Sequence, residues 1–152
     1  MVDNEGGNGI KMTNDMLVKE SIKARDMAYA PYSGFMVGAA LLATDGSLFH
    51  GCNIENASFS PTICAERTAF TKAVSEGVRN FSAIAVAGWP KDLPKDTKET
   101  PQAFPCGVCR QVMREFCGPD FVILVSQGNN NGYTKHTLNE LLPLSFGPDI
   151  II

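Results

Sequence analysis

The sequence has few of the features that mark a nucleic-acid-binding or a membrane protein. It contains 13 Lys and Arg residues against 16 acidic residues, which gives a formal net charge of −3. No dense run of Lys and Arg occurs, so neither a nucleic-acid polymer nor an anionic membrane surface is an expected partner. No apolar run approaches the ~20 residues that cross a bilayer, so a membrane-spanning protein is not expected either.

The N-terminal segment, residues 1–12, is rich in Gly and lacks the basic start and apolar stretch of a secretory signal. We expect a flexible tail here and a single domain over residues 13–152, because a 152-residue chain suffices for one hydrophobic core. A cytoplasmic location is the corresponding expectation. In a reducing compartment, the five cysteines favour metal binding over disulfide formation.

Helices and strands are predicted to alternate along the chain. Apolar periodicity and turn signals predict strands over 37–44, 48–52, 81–88, 121–126 and 133–137, and helices over 14–28, 62–76 and 106–117. Ser60 is the predicted N-cap of the second helix and Pro61 its N1 residue, which precedes the helix body over 62–76. Residues 137–140 have the form of a capping box for a further short helix. This alternation indicates an α/β protein with helices on both faces of a layered sheet.

Two short motifs carry the chemistry: Cys64-Ala65-Glu66 and Pro105-Cys106-Gly107-Val108-Cys109. Both are predicted at helix starts, where free N–H groups favour thiolate over thiol. Structural zinc sites are usually closed by four protein ligands, whereas hydrolytic sites leave one position open for water. Three thiolates with a spare carboxylate therefore predict a catalytic zinc ion, with Glu66 as the neighbouring proton-transfer group.

A nearby cation is expected to offset the charge of three thiolates, which leave zinc with a net charge of about −1. Arg67 directly follows Glu66 and is the first candidate for this charge-tuning role. Arg110, which directly follows Cys109, is the second.

Other interpretations of the cysteines remain open at this point. Cys52 or Cys117 could close a structural zinc site, which would make the chain a zinc-stapled interaction module and leave Glu66 without a role. Alternatively, the cysteines could be unrelated core residues, which is our expectation for Cys52 and Cys117 alone. His50 and His136 each lie in a predicted strand and are expected to be ordinary strand residues.

The two motifs belong to a wider resemblance that covers residues 13–150. The chain resembles the small homotetrameric, zinc-dependent cytidine deaminases, and the likeness is carried by residues 29–40, 51–57, 64–69, 105–111 and 141–148. Dimeric relatives and polynucleotide deaminases have His at the position of Cys64, so this cysteine is typical of the tetrameric branch. The resemblance implies a three-layer α/β/α sandwich around a five-stranded mixed sheet.

The resemblance also implies a reaction. It is the hydrolytic deamination of cytidine and 2′-deoxycytidine to uridine and 2′-deoxyuridine, with release of ammonia, in pyrimidine salvage. One Zn²⁺ per subunit would be held by Cys64, Cys106 and Cys109, and Glu66 would transfer protons to the ring nitrogen N3 and to the leaving amine.

Contacts to the nucleoside are implied as well, at Phe35, Asn53, Glu55, the Ala65 backbone N–H and Phe146. Asn53 and Glu55 lie two residues apart on an extended segment, so both side chains can point toward one sugar. Phe146 would reach the active site of a neighbouring subunit. A relative that deaminates another free aminopyrimidine nucleoside, such as a nucleoside antibiotic, is the alternative, although Asn53 and Glu55 suit an unmodified ribose.

Overall fold

The computed structural model of the protein describes residues 10–129 and 132–151, so most of the predicted tail, residues 1–9, lies outside the described residues. The strands are β1 (Phe35–Ala43), β2 (Leu48–Cys52), β3 (Phe81–Pro90), β4 (Val122–Ser126) and β5 (Tyr133–Thr137). The helices are α1 (Asn14–Arg25), α2 (Ala65–Ser75), α3 (Gly107–Phe116) and α4 (Leu138–Leu141), followed by a 3₁₀ turn over Pro148–Ile150.

The five strands form one mixed sheet in the order β2-β1-β3-β4-β5. Strand β1 is antiparallel to β2 and β3, β3 is parallel to β4, and β5 is antiparallel to β4. Alternate residues of the strands face two separate apolar clusters. Ala40 and Ala85 pack with Leu17 of α1, whereas Ile84 packs with Met113 of α3 and with the buried residues of α2. The predicted three-layer α/β/α sandwich is therefore confirmed.

The first helix begins as predicted, since the Thr13 hydroxyl accepts a hydrogen bond from the Met16 N–H. It ends at Arg25 rather than at the predicted residue 28. The reason is a short parallel bridge, in which the Tyr29 N–H donates to the Asn53 carbonyl and the Glu55 N–H donates to the Tyr29 carbonyl. This pairing requires an extended chain where the local sequence alone allowed a helix.

The predicted start of the second helix is wrong. Neither Ser60 nor Pro61 begins α2, which starts at Ala65 with Cys64 as its N-cap. Ile63 is instead extended, and it exchanges both backbone hydrogen bonds with Ile54 at 3.0 and 3.1 Å. This non-local bridge prevents helix formation before residue 64 and brings Cys64 to the helix N-terminus.

The other helices and strands are present as predicted, and their limits differ from the prediction by at most a few residues. Strands β2 and β5 have their predicted limits, and the predicted capping box at the start of α4 is present. Strand β3 extends to Pro90 because it pairs with Phe35 at the start of β1. Helix α3 starts one residue late, because Cys106 is its N-cap. None of the described helices has the length and hydrophobicity that crossing a bilayer requires.

Helix α2 lies directly against β2 because position 51 has no side chain. A Cβ at Gly51 would lie 2.3 Å from the Ala65 carbonyl oxygen and 2.5 Å from the Ala69 nitrogen. We expect Gly51→Ala to lower the free energy of unfolding by about 1–3 kcal/mol, since the helix backbone must move. Denaturant unfolding measures this change. Gly118→Ala is the control, with no described heavy atom within 4 Å of its Cβ; equal stabilities of the two variants would contradict the prediction.

Candidate metal centre and active site

Three cysteine sulfurs meet where α2 and α3 begin. Cys64 and Cys106 are the N-caps of the two helices, and Cys109 lies in the first turn of α3. The Cys64 and Cys106 sulfurs are 3.8 Å apart, the Cys106 and Cys109 sulfurs 3.5 Å, and all three lie within 4.8 Å of one another. Sulfurs bound tetrahedrally to zinc at about 2.3 Å are about 3.8 Å apart, so the cluster fits a zinc ion.

Among the residues that the structure describes, no fourth protein ligand closes this cluster. Within residues 10–129 and 132–151, no other His, Cys, Asp or Glu side chain joins the three sulfurs. Cys117 is the C-cap of α3, about 12 Å further along the helix than Cys109. The Cys52 thiol donates to the Met27 carbonyl at 3.4 Å. A structural site closed by Cys52 or Cys117 is thus not what the structure shows.

The two histidines also lie apart from the cluster, as expected of ordinary strand residues. His50 Nε2 lies 2.7 Å from a Glu20 carboxylate oxygen. His136 Nε2 lies 2.9 Å from the Thr134 hydroxyl, and its ring packs edge-on against Phe104.

The surroundings of the cluster stabilise negative charge on sulfur. The neighbouring Cys109 thiol and the Arg67 guanidinium lower the pKa of Cys64 to about 5. Arg67 Nη2 donates to the Cys64 sulfur at 3.7 Å. Arg110, the second candidate, instead donates to the Pro105 carbonyl at 2.7 Å and to the Leu141 carbonyl at 2.6 Å. Of the two candidate arginines, only Arg67 contacts a sulfur of the cluster.

Glu66 is the second residue of α2 and lies beside the cluster without belonging to it. Its side chain is buried, with only 4% of the residue exposed, and its Oε2 accepts a hydrogen bond from the Cys109 thiol at 3.7 Å. Burial raises the pKa of Glu66 to about 7, and the nearby Cys64 thiolate acts in the same direction. A carboxyl group in this range can both accept and donate a proton near neutral pH.

The backbone N–H of Ala65 has no hydrogen-bond acceptor among the described residues, and Ala65 itself is buried. Ala65 is the first residue of α2, where N–H groups have no acceptor within the helix. Because Ala65 stands between Cys64 and Glu66, a carbonyl group bound there would lie next to the metal centre. The N-terminal end of a helix also favours the partial negative charge of such an oxygen.

Asn53 and Glu55 both contact the segment that leads into β1. Asn53 Oδ1 accepts from the Val37 N–H and its Nδ2 donates to the Phe35 carbonyl, both at 2.8 Å. Glu55 Oε1 accepts from the backbone N–H groups of Tyr32 and Ser33 at 3.0 and 3.1 Å. These two N–H groups and the Ser33 hydroxyl lower the pKa of Glu55. Among the described residues, Glu55 Oε2 has no hydrogen-bond donor, so this oxygen remains available.

Phe35 packs on the same face of the sheet as the cysteine cluster. A Cβ at Gly88 would lie 2.7 and 2.8 Å from two Phe35 ring atoms and 2.6 Å from the Ala103 Cβ. Gly88 and Val86 are two residues apart in β3 and therefore face the same side of the sheet. Val86 belongs to the same apolar cluster as Cys109. The absent side chain at Gly88 therefore makes room for the aromatic ring beside the site.

Phe146 lies on a C-terminal segment that α3 holds in place. Gln111 Nε2 donates to the Phe146 carbonyl at 3.0 Å, and Arg114 Nε donates to the Ser145 hydroxyl at 3.0 Å. The Phe146 residue itself is 57% exposed. The sequence motifs did not identify Gln111 and Arg114 as anchors of this segment; the available signal was their spacing on one face of α3.

The fold and the site together define a class of protein. Three cysteine sulfurs whose spacing fits a zinc ion lie at two helix N-termini of an α/β/α sandwich, next to the buried Glu66 carboxylate, which is not part of the sulfur cluster. This is the arrangement of a zinc-dependent hydrolase.

Comparison with known proteins identifies the family. Residues 12–125 match the family model described as the cytidine and deoxycytidylate deaminase zinc-binding region. The cytidine deaminase of Sporosarcina psychrophila is 49% identical over 138 residues, which cover 91% of this chain and 94% of that protein. The cytidine deaminase of Halalkalibacterium halodurans is 52% identical over 136 residues, 89% of this chain and 95% of that protein. The chain belongs to the cytidine and deoxycytidylate deaminase family.

Solved structures agree with this assignment. The crystal structure of cytidine deaminase from Burkholderia pseudomallei has a TM-score of 0.77 and 42% sequence identity. The structural alignment covers 89% of this chain and 100% of the Burkholderia pseudomallei chain. The predicted five-stranded α/β fold is therefore shared with a member of the family along nearly its full length.

Proposed function

We propose that this protein catalyses the hydrolytic deamination of free cytidine and 2′-deoxycytidine. Water adds at C4 of the pyrimidine and the bond from C4 to the amino nitrogen breaks, which gives uridine or 2′-deoxyuridine and ammonia. The observation that carries this proposal is the position of Glu66, buried beside the three sulfurs but outside the ligand set. The family relationship and the names of the relatives support the same reaction.

The cluster residues and Glu66 have distinct tasks. Cys64, Cys106 and Cys109 would hold zinc, which when bound supplies the Lewis acidity that activates water. Cys109 is then a thiolate and no longer donates a proton to Glu66, so Oε2 is free for a proton from water. Glu66 passes protons to the ring nitrogen N3 and to the departing amine.

The remaining residues orient the nucleoside. The Ala65 N–H donates to the carbonyl oxygen of the base, and Phe35 packs beside the nucleoside. The free Glu55 Oε2 and the second N–H of the Asn53 amide bind the sugar hydroxyls. Since Asn53 and Glu55 also hold residues 32–37, they couple sugar binding to the position of Phe35.

The wider setting follows from the same features. The acidic balance of the chain disfavours a polynucleotide substrate. We place the enzyme in pyrimidine salvage, in the cytoplasm. A nucleoside antibiotic is a poorer substrate class because Asn53 and Glu55 suit an unmodified ribose.

A direct assay tests this function. The purified, zinc-loaded protein is incubated with cytidine or 2′-deoxycytidine, and the loss of cytidine absorbance and the release of ammonia are followed. Free cytosine is the control, since it lacks the sugar that Asn53 and Glu55 would bind, and it should react far more slowly. Turnover of a nucleoside antibiotic without turnover of cytidine would contradict the proposal, as would stable zinc binding without any deamination.

Arg67→Ala is expected to reduce turnover more than it reduces the free energy of unfolding. The Arg67 guanidinium donates to the Cys64 sulfur, which withdraws electron density from a thiolate-rich centre. Arg67→Gln should be milder because it keeps hydrogen-bond donors. The pH profile of activity and denaturant unfolding measure the two effects. A profile and rate equal to those of the unsubstituted protein would contradict a charge-tuning role for Arg67.

We further propose a homotetramer with active sites shared between subunits, in which Phe146 stacks on the base in a neighbouring site. The exposed ring of Phe146, on a segment held by Gln111 and Arg114, supports this arrangement. Phe146→Ala should raise KM about tenfold, with a smaller effect on kcat, because stacking acts alike on bound substrate and transition state. Steady-state kinetics with cytidine measure both constants.

Mixed tetramers test the sharing itself. Phe146→Ala and Glu66→Ala subunits are unfolded together and refolded, and each variant refolded alone is the control. If the two residues act from different chains, some hybrid sites contain both intact residues, and activity exceeds the average of the controls. A fully active sample with the mass of one subunit in sedimentation would refute the shared site.

A further inference from the structure

A second pocket lies on the opposite face of the sheet from the cysteine cluster. It has a volume of about 400 Å³, and its lining includes Arg25, Asp26, Trp89, Lys91, Asp92 and Lys95. Trp89 faces the same side of the sheet as Ala83 and Ala85, which also lie at odd-numbered positions of β3 and pack against α1. The pocket is therefore separated from the active site by the sheet, and its volume is within the range of small-molecule sites.

The wall of this pocket contains a buried cation, the Arg25 guanidinium. Only 4% of Arg25 is exposed, and its guanidinium carbon lies 5.5 Å from the centre of the Trp89 ring. Nη2 donates to Asn129 Oδ1 at 2.6 Å, but Nη1 has no hydrogen-bond partner among the described residues. In the same part of the chain, no carboxylate forms an ion pair with Arg25. A buried charge of this kind is costly unless an anion accompanies it.

Two lysines at the rim add to the positive charge. The exposed Lys91 and Lys95 line the pocket together with Asp26 and Asp92, so three cations face two anions. The loop that carries the lysines is anchored, because Trp89 Nε1 donates to the Leu93 carbonyl at 2.9 Å and the Lys91 N–H donates to the Gly34 carbonyl at 2.7 Å. The backbone of the loop that carries the lysines is thus fixed against the end of the sheet.

We propose that this pocket binds a small oxyanion, namely a phosphate group, between Arg25 and the two rim lysines. A guanidinium and two ammonium groups can share the oxygens of a doubly charged phosphate in charge-assisted hydrogen bonds. The ligand is inorganic phosphate or the phosphate group of a small ester. Such a site is separate from nucleoside deamination and requires none of the residues at the metal centre.

The single tryptophan of the chain provides a probe. Because the Arg25 guanidinium lies over the Trp89 ring, an anion that binds this guanidinium should alter the tryptophan fluorescence. The protein is titrated with inorganic phosphate and, separately, with ribose 5-phosphate, at constant ionic strength set with sodium chloride. We expect a saturable change with at least one of them; tighter binding of the sugar phosphate indicates an ester ligand, and equal binding indicates phosphate itself.

Variants of the rim lysines make the test specific. Lys91→Gln combined with Lys95→Gln should weaken binding roughly tenfold, at about two- to fivefold for each lysine. Lys98→Gln is the matched control, since Lys98 is exposed in the same loop but does not line the pocket. The proposal is overturned by a fluorescence change that does not saturate or that chloride reproduces. It is equally overturned if the double variant binds phosphate as tightly as the control.

Discussion

Glu66→Gln is expected to retain zinc and to lose at least ~10²–10⁴-fold in turnover, which is the usual contribution of general acid–base catalysis. Glutamine has the same shape as glutamate and can still accept a hydrogen bond at the buried site, but it cannot take up or release a proton. Because Glu66 would serve more than one proton transfer in each cycle, the loss should lie at or above the upper end of this range.

Three measurements on the same preparation separate the possible roles of Glu66. Zinc content shows whether the carboxylate is a ligand, thermal unfolding shows whether it supports the fold, and kcat reports catalysis. Glu76→Gln is the matched control, since Glu76 is exposed at the other end of α2. Near-normal turnover in Glu66→Gln would refute the proton-transfer role, and loss of zinc would instead make Glu66 a ligand.

The metal centre could be predicted from the sequence because its signals are local. Cys64 with Glu66, and Cys106 with Cys109, each lie within four consecutive residues. Pro105 directly precedes Cys106, the N-cap of α3, so neighbouring residues indicate a helix start close to Cys106. What the sequence could not show was how the two motifs meet. The close approach of α2 to β2 depends on Gly51 having no side chain, which is a tertiary contact.

The wrong prediction of the start of α2 has a non-local cause. Ser60 and Pro61 have the local signature of a helix start, yet the bridge between Ile54 and Ile63 keeps this segment extended. Asn53 and Glu55 are predicted to face a sugar, whereas no local pattern indicates that they also hold the backbone of residues 32–37.

The pocket beside Arg25 illustrates the same limit at longer range. Arg25 and its hydrogen-bond partner Asn129 are 104 residues apart in the chain. In the sequence, Arg25 is an unremarkable residue near the end of an amphipathic helix, and Trp89 is the last apolar residue before a polar loop. Only the folded sheet brings them into contact, so no local pattern predicts that Arg25 is buried against Trp89.

Cys109→Ser is expected to lose bound zinc and, with it, essentially all turnover. Cys109 is the most deeply buried of the three clustered cysteines, at 1% exposed, and it contacts both Cys106 and Glu66. A serine hydroxyl is a poor replacement for a thiolate on zinc, because it is not deprotonated near neutral pH. Zinc content measured by elemental analysis should fall from about one ion per chain to nearly zero.

The same variant should also unfold at a lower temperature, because zinc links the N-termini of α2 and α3 in the folded protein only. A ligand present at a thousandfold excess over its Kd stabilises the native state by about 4 kcal/mol. Cys52→Ser is the matched control: it makes the same chemical change at a cysteine outside the cluster, where a hydroxyl can also donate to the Met27 carbonyl. The control should keep zinc, turnover and melting temperature, and removing zinc from it with a chelator should lower its melting temperature toward that of Cys109→Ser. Full zinc occupancy and activity in Cys109→Ser would show that this sulfur is not a ligand, and the three-thiolate centre would have to be abandoned.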